Sequence, residues 1–156
     1  MTSKAIFAGG CFWGIEDSFS SIEGVIETEV GYIGGKINNP TYEDVCRGDS
    51  GHAEAVRIFF NEDIISYDGL LNTFFDIHNP TTKNRQGVDI GTQYRSAIFY
   101  QDEFQKLSSE NKIKELNISK FDNNIVTTVE DNSNFWIAEE YHQKYLKKKK
   151  FNSFSE

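Results

Sequence analysis

The sequence predicts an α+β fold, with strand and helix patterns mixed through one unit of 156 residues. Three observations predict it. Short apolar runs end at glycine, longer stretches carry apolar residues at helical spacing, and 38% hydrophobic with 14% aromatic residues supply a core. The length falls in the usual range for a single domain. Residues 1–156 are therefore expected to form one domain, with a core over about 4–146 and a basic tail over 147–156.

Residues 4–8 form an apolar run that stops at Gly9-Gly10, the pattern of a buried strand entering a tight loop. Beyond it Phe12, Ile15, Phe19 and Ile22 fall at helical spacing and Gly24 is the stop, so Cys11 stands at a helix N-terminus. Residues 25–32 alternate, with Ile26, Thr28, Val30 and Tyr32 on one side and Glu27 and Glu29 on the other. Residues 34–51 carry turn signals at Asn39-Pro40 and Gly48-Asp49 and are expected as loop. Residues 52–60 read as a strand that puts His52, Glu54, Val56, Ile58 and Phe60 on one face. Ser66 is expected to cap a helix lined by Tyr67, Leu70, Leu71, Phe74 and His78, ending near Asn79-Pro80. A polar loop over 81–91, a strand over 94–100, a polar helix over 102–117, a short strand over 125–129 and a final helix over 136–147 complete the order. Connections have a median of about 4–6 residues, so the two long loops are expected to be functional.

A net charge of −8 argues against any grip on phosphate backbones, and nucleic acid is not an expected partner. The basic run at 147–150, beside Phe151 and Phe154, is expected to be a solvated tail rather than a membrane contact. No stretch approaches the ~20 apolar residues of a membrane span, and no signal-peptide pattern opens the chain. Two cysteines are too few for a disulfide framework and lie in no zinc-type spacing. No metal site is expected, and a reducing cytoplasm fits best.

Cys11 follows a Gly-Gly turn and opens a helix, where unpaired N–H groups and the positive end of the dipole should favour its thiolate. The bland alternative is a small buried hydrophobe. Trp13 falls off the core stripe and suggests a pocket wall, or a Trp merely at the surface. Glu54 shares a strand face with core residues, so it must pair, hydrogen-bond or keep its proton. A protonated Glu beside a thiol could act as a proton donor, whereas a salt bridge to Arg57 or Arg95 would make it structural. His52 reads as a turn hydrogen-bonder rather than a base.

The segment Gly10-Cys11-Phe12-Trp13-Gly14 resembles the signature of the A-type peptide methionine sulfoxide reductases. Tyr42 to Cys46 (YEDVC), Gly51 to Val56 (GHAEAV), Asp89 to Ser96 (DIGTQYRS) and Glu139 to Gln143 (EEYHQ) are similar to further blocks of that family, in the same order. The resemblance implies a ferredoxin-like two-layer α/β sandwich with long functional loops, acting on methionine-S-sulfoxide, free or in proteins. It implies that Cys11 attacks the sulfoxide sulfur, Glu54 protonates its oxygen, and Tyr42 and Tyr94 hold that oxygen. Phe12 and Trp13 would wall the methyl group, Asp89 would orient the substrate, and His142 would join the substrate-binding set. The product would be methionine with a Cys11 sulfenic acid, which a thiol must then reduce.

Many relatives carry resolving cysteines in a C-terminal tail, and this chain has no cysteine after Cys46. Either Cys46 resolves the sulfenic acid or an external thiol attacks Cys11 directly, and the external route is favoured. Glutaredoxin with glutathione, or thioredoxin, would be the reductant, with no bound cofactor and a monomeric chain. Some such relatives carry selenocysteine where this sequence has Cys11.

Overall fold

Thr2–Gly9 forms β1, whose alternate side chains Ala5 and Phe7, and Ile6 and Ala8, fill two different cores. In the computed structural model residues 2–155 are described, with side chains through residue 150. The chain continues through α1 (Phe12–Ser20), β2 (Val25–Ile33), α2 (Tyr42–Cys46), β3 (Ala53–Asn61), α3 (Tyr67–Ile77), β4 (Arg85–Gln86), β5 (Asp89–Ile90), β6 (Ser96–Tyr100), α4 (Glu103–Ser119), β7 (Thr128–Asp131), β8 (Trp136–Ile137) and α5 (Tyr145–Ser155). Short 3-10 turns occupy Thr92–Tyr94 and Glu140–His142.

Six strands make one sheet in the order β7-β6-β1-β3-β2-β8, antiparallel except for the parallel pair β6 and β7. One face carries Phe7, Val30, Tyr32, Val56, Ile58, Phe60 and Ile98, against which α1 sets Phe12, Ile15 and Phe19 and α3 sets Leu70, Leu71 and Phe74. Phe7 stacks on Phe19 and Phe74 with ring centroids 5.4 and 4.9 Å apart, which ties both helices to the central strand. The other face is built from Ile33, Ala53, Ala55, Ala97 and Phe99, with Phe135 packed on it. Glu54 belongs by alternation to the helix-covered face, level with Tyr32 of β2.

Ser66 caps α3 by accepting the Gly69 N–H, and Asp102 caps α4 in the same way through Gln105. Several expectations are corrected. Residues 34–51 are not all loop: Thr41 and Asp44 close a reciprocal capping box that starts α2. Residues 81–91 contain the β4–β5 hairpin. Ile26 leaves the core face because a bulge between Val25 and Glu27 shifts the register. The strand expected at 125–129 forms three residues later, where β7 finds β6 as its partner. The helix expected over 136–147 is instead β8, a 3-10 turn and α5. Trp136 and Ile137 pair with Tyr32 and Gly31, and the buried Gln143 amide accepts from Val30 N and donates to Val30 O and Ala138 O. These long-range bonds outweigh local helical spacing.

The basic run lies on α5, where Lys148 pairs with Glu140 and Lys150 with Asp17, while the side chains of Phe151 and Phe154 lie outside the described residues. Among the described residues no helix is long and apolar enough to cross a membrane.

Candidate active site

Cys11 is the N-cap of α1, reached through Gly10 at φ +107°, a left-handed conformation that favours glycine. A Cβ at Gly10 would also lie 2.8 Å from the Gln86 side chain, so the hairpin bearing Asp89 packs directly on this turn. Gln86 is itself clasped by Asn79, whose N–H it accepts at 3.0 Å and whose carbonyl it meets at 2.5 Å. The expected thiolate does not form at rest. Burial pushes the Cys11 thiol up to about 11, and although the N–H groups of Trp13 and Gly14 oppose this, the charges of Glu54 and Asp89 reinforce it.

Glu54 stands beside this thiol, 1% exposed. Its Oε1 accepts the Phe12 N–H, one of the unpaired donors of the first turn of α1, at 3.2 Å. Its Oε2 is buried with no hydrogen-bond partner. Neither arginine reaches it, because Arg57 binds Glu29 at 2.7 Å and Arg95 binds Glu130 at 3.3 Å. Burial without a cation pushes the Glu54 carboxyl up to about 7, and the charge of Asp89 adds to the rise.

Tyr42 opens α2 and Tyr94 closes the Thr92–Tyr94 turn, and both phenols feel the charges of Glu54 and Cys46. Burial raises Tyr94 to about 12 and Tyr42 further, so both keep their protons and can donate. Cys46, on the same helix as Tyr42, is exposed; burial of its sulfur raises its pKa and the Tyr42 hydroxyl opposes that rise. Cys11, Glu54, Asp89, Tyr42, Tyr94 and Cys46 thus share one electrostatic neighbourhood.

The aromatic residues occupy different depths. Phe12 is buried against Tyr32 and His142, so it forms floor rather than exposed wall. Trp13 is half-buried, stacks on Tyr145 at 3.8 Å and donates its indole N–H to His142 Nδ1 at 2.9 Å. His142, expected among the substrate contacts, is fully buried. Its ring is covered by Phe12, Trp13, Tyr42 and Tyr141, so it meets the site's aromatic side chains directly. His52 clamps a loop, its ring nitrogens meeting Gly35 N at 3.0 Å and Ile37 O at 2.7 Å. Among the described residues no group of three or more His, Cys, Asp or Glu is arranged to hold a metal ion.

The family model for peptide methionine sulfoxide reductase matches residues 3–155. The chain belongs to the peptide methionine sulfoxide reductase family. It is 53% identical over 151 residues to the peptide methionine sulfoxide reductase MsrA of Methanosarcina acetivorans, covering 95% of this chain and 79% of that protein. It resembles reduced Mxr1 of Saccharomyces cerevisiae with a TM-score of 0.90 at 36% identity, covering 94% of this chain and 85% of that one. Mxr1 in complex with Trx2 also matches, with a TM-score of 0.67 at 27% identity over 92% of this chain and 84% of that one.

Three residues of this reductase-family site escape sequence reasoning. Glu139 accepts the Tyr32 hydroxyl and the Tyr42 N–H, each at 2.9 Å, and so moors the start of α2 to the sheet. Burial works against its charge, but those two donors hold its carboxyl below the usual range. Tyr145 and Gln86 act by packing on Trp13 and Gly10. Glu139 lies within the EEYHQ segment, but no spacing rule links it to Tyr42, 97 residues away.

Proposed function

We propose that this protein reduces methionine-S-sulfoxide, free or in proteins, to methionine through a Cys11 sulfenic acid, and so repairs oxidised proteins. The observation that carries the proposal is the Glu54 carboxyl, buried without a cation beside the Cys11 thiol and raised to about 7. A sulfoxide oxygen leaves poorly until it is protonated, so the site needs an acid that still holds its proton near neutrality. Glu54 gives its proton to the oxygen while the Tyr42 and Tyr94 hydroxyls donate hydrogen bonds to it. Positive charge then develops on the sulfoxide sulfur, and this favours loss of the Cys11 thiol proton against the burial that holds it at rest. Cys11 sulfur attacks the sulfoxide sulfur, the oxygen passes to Cys11, and the thiol proton replaces the one Glu54 gave. The net step is thiol plus sulfoxide to sulfenic acid plus thioether. Trp13 walls the methyl group above the Phe12 floor, and Asp89 orients the substrate.

An external thiol then attacks the Cys11 sulfenic acid with loss of water, and a second thiol releases Cys11 as a mixed disulfide is exchanged. Glutaredoxin with glutathione, or thioredoxin, supplies those thiols. The complex of the related Mxr1 with Trx2 supports a protein thiol partner. Cys46 is the alternative resolving thiol, and its shared neighbourhood with Tyr42 keeps it in play.

The βαββαβ order of β1, α1, β2, β3, α3 and β6, with those strands arranged β6-β1-β3-β2, supports a ferredoxin-like two-layer sandwich. We take residues 1–156 as one domain. A net charge of −8 favours a monomer through self-repulsion, and two free thiols suit a reducing cytoplasm.

The test mixes reduced protein with each epimer of a blocked methionine sulfoxide, without reductant, and counts methionine formed and thiols lost. About one methionine per chain from the S epimer alone is expected for a single reactive thiol. Loss of one thiol supports the external route, and loss of both gives Cys46 the resolving role. No methionine from either epimer overturns the proposal.

A further inference from the structure

Asp89 is the one charged group at the site that does not sit on the six-stranded sheet or its helices. It rides on the β4–β5 hairpin, a separate two-stranded sheet. Most bonds of this hairpin close it on itself: Thr82 Oγ1 donates to Arg85 O at 2.8 Å, Arg85 donates to Gly87 O at 2.7 Å, and the Gly91 N–H donates to Asn84 O at 2.9 Å. Its hold on the rest of the molecule runs through Gln86, which stands directly opposite Asp89 in the hairpin register and so shares its face.

Gln86 is fixed at both ends. Its amide accepts the Asn79 N–H at 3.0 Å and donates to the Asn79 carbonyl at 2.5 Å, two bonds to one residue that set direction as well as distance. Asn79 is itself a firm anchor between His78, bonded to Phe74 O and Ser96 Oγ, and Pro80, whose carbonyl accepts the Val126 N–H at 2.8 Å. The stem of Gln86 lies on Gly10, where a Cβ would stand 2.8 Å from its Cγ and 3.0 Å from its Cβ. Gly10 immediately precedes Cys11.

We infer that Gln86 is a positioning residue that sets the Asp89 carboxylate against Cys11, by clasping Asn79 with its amide and seating its stem on Gly10. The charge at the thiol supports this. Burial is the first cause of the raised Cys11 thiol; the N–H groups of Trp13 and Gly14 oppose it, the charges of Glu54 and Asp89 add to it, and the Tyr94 hydroxyl faces the same sulfur. Glu54 is fixed within β3, so Asp89 is the carboxylate whose distance a hairpin residue can set. Without the clasp the hairpin is free to swing outward, carrying Asp89 away from the thiol and from the substrate. The substrate part of this inference rests on Asp89 orienting the sulfoxide.

The experiment uses the full chain in two arms. In the first, Cys46→Ser leaves Cys11 as the only thiol, and its alkylation by iodoacetamide is followed from pH 7 to 10. The rate tracks the thiolate fraction. Gln86→Met, which keeps a stem for Gly10 and cannot clasp Asn79, should raise the rate at pH 8 about 2- to 5-fold, and Gln86→Ala should do at least as much. In an Asp89→Asn background the same changes should add little, because the charge they displace is gone. In the second arm, single-turnover reduction of a blocked methionine-S-sulfoxide, Gln86→Met should raise the half-saturating concentration about 3- to 10-fold and change the limiting rate less than about threefold. An alkylation profile unchanged in both Gln86 variants overturns the inference. So does an equal rise with and without the Asp89 carboxylate, since Gln86 would then only shield the thiol from solvent. An Asp89-dependent rise in alkylation, with half-saturation unaffected even by Asp89→Asn, would show that Gln86 seats the carboxylate and that the substrate role of Asp89 fails.

Discussion

Glu16, on α1, and Glu54, on β3 against the first turn of the same helix, are 2% and 1% exposed, yet their surroundings differ completely. Glu16 meets the Thr28 hydroxyl at 2.8 Å, the Lys144 N–H at 2.7 Å and the Lys144 ammonium at 3.3 Å. Glu54 has one N–H at 3.2 Å, no cation and an unbonded oxygen. Burial alone therefore does not make a carboxyl chemically useful. The absence of partners does, because only an unmatched carboxyl holds its proton until a substrate oxygen arrives.

The largest expected effect comes from Glu54→Gln, which keeps the shape and removes the proton. The single-turnover reduction rate should fall about 100- to 1,000-fold with little change in half-saturation. An unchanged rate would put Glu54 in the same class as Glu16.

Next comes the dependence of stability on pH. The folded-state pKa of Glu54 is raised from 4.5 to about 7, so its contribution is fully present below 4.5 and is lost as pH rises through 7. That loss amounts to about 3 kcal/mol, and Glu54→Gln should recover it, giving higher urea resistance at pH 8 but not at pH 4. His78 has the opposite sign. Its Nδ1–H donates to Phe74 O at 2.5 Å, its Nε2 meets Ser96 Oγ at 2.7 Å, and burial lowers its pKa from 6.5 to about 4. Its contribution is present above 6.5 and lost as pH falls toward 4. His78→Asn should flatten the acid limb of the stability profile and leave the limb near pH 7 unchanged.

Glu16→Ala strands Lys144 and the Thr28 hydroxyl, but Lys144 retains Glu27, so urea unfolding should show a loss of about 2 kcal/mol. The limiting reduction rate should change less than about threefold. The smallest effect belongs to Arg57→Gln, which breaks a partly exposed pair with Glu29 and should cost no more than about 1 kcal/mol by the same measurement.

Local pattern carries far in this sequence. Period-two counting puts Glu54 on the face of Val56, Ile58 and Phe60, and the glycine turn puts Cys11 at the start of α1, as the structure has them. The caps at Ser66 and the stripe of α3 are equally local. What pattern cannot carry is the balance at Cys11, where the helix terminus favours the thiolate and burial reverses the outcome. Neither could it exclude Arg57 and Arg95 as partners of Glu54, since their bonds to Glu29 and Glu130 span separate strands. The segment after residue 135 misleads for the same reason: its strand and its Gln143 amide answer to β2, more than 100 residues earlier. The Thr41-x-x-Asp44 capping box, by contrast, was legible within the supposed loop.

The Gln143 amide bears on how this sheet meets other molecules. An outer strand normally shows a row of free N–H and C=O groups on which a foreign strand can build. Along β2 part of that row is taken, because β8 covers Gly31 and Tyr32, the Gln143 amide meets both backbone groups of Val30, and the Ala138 N–H shares the Val30 carbonyl. A single glutamine thus stands in for a further residue of paired strand. It takes Val30 out of the template for edge-to-edge pairing on that side without lengthening the sheet.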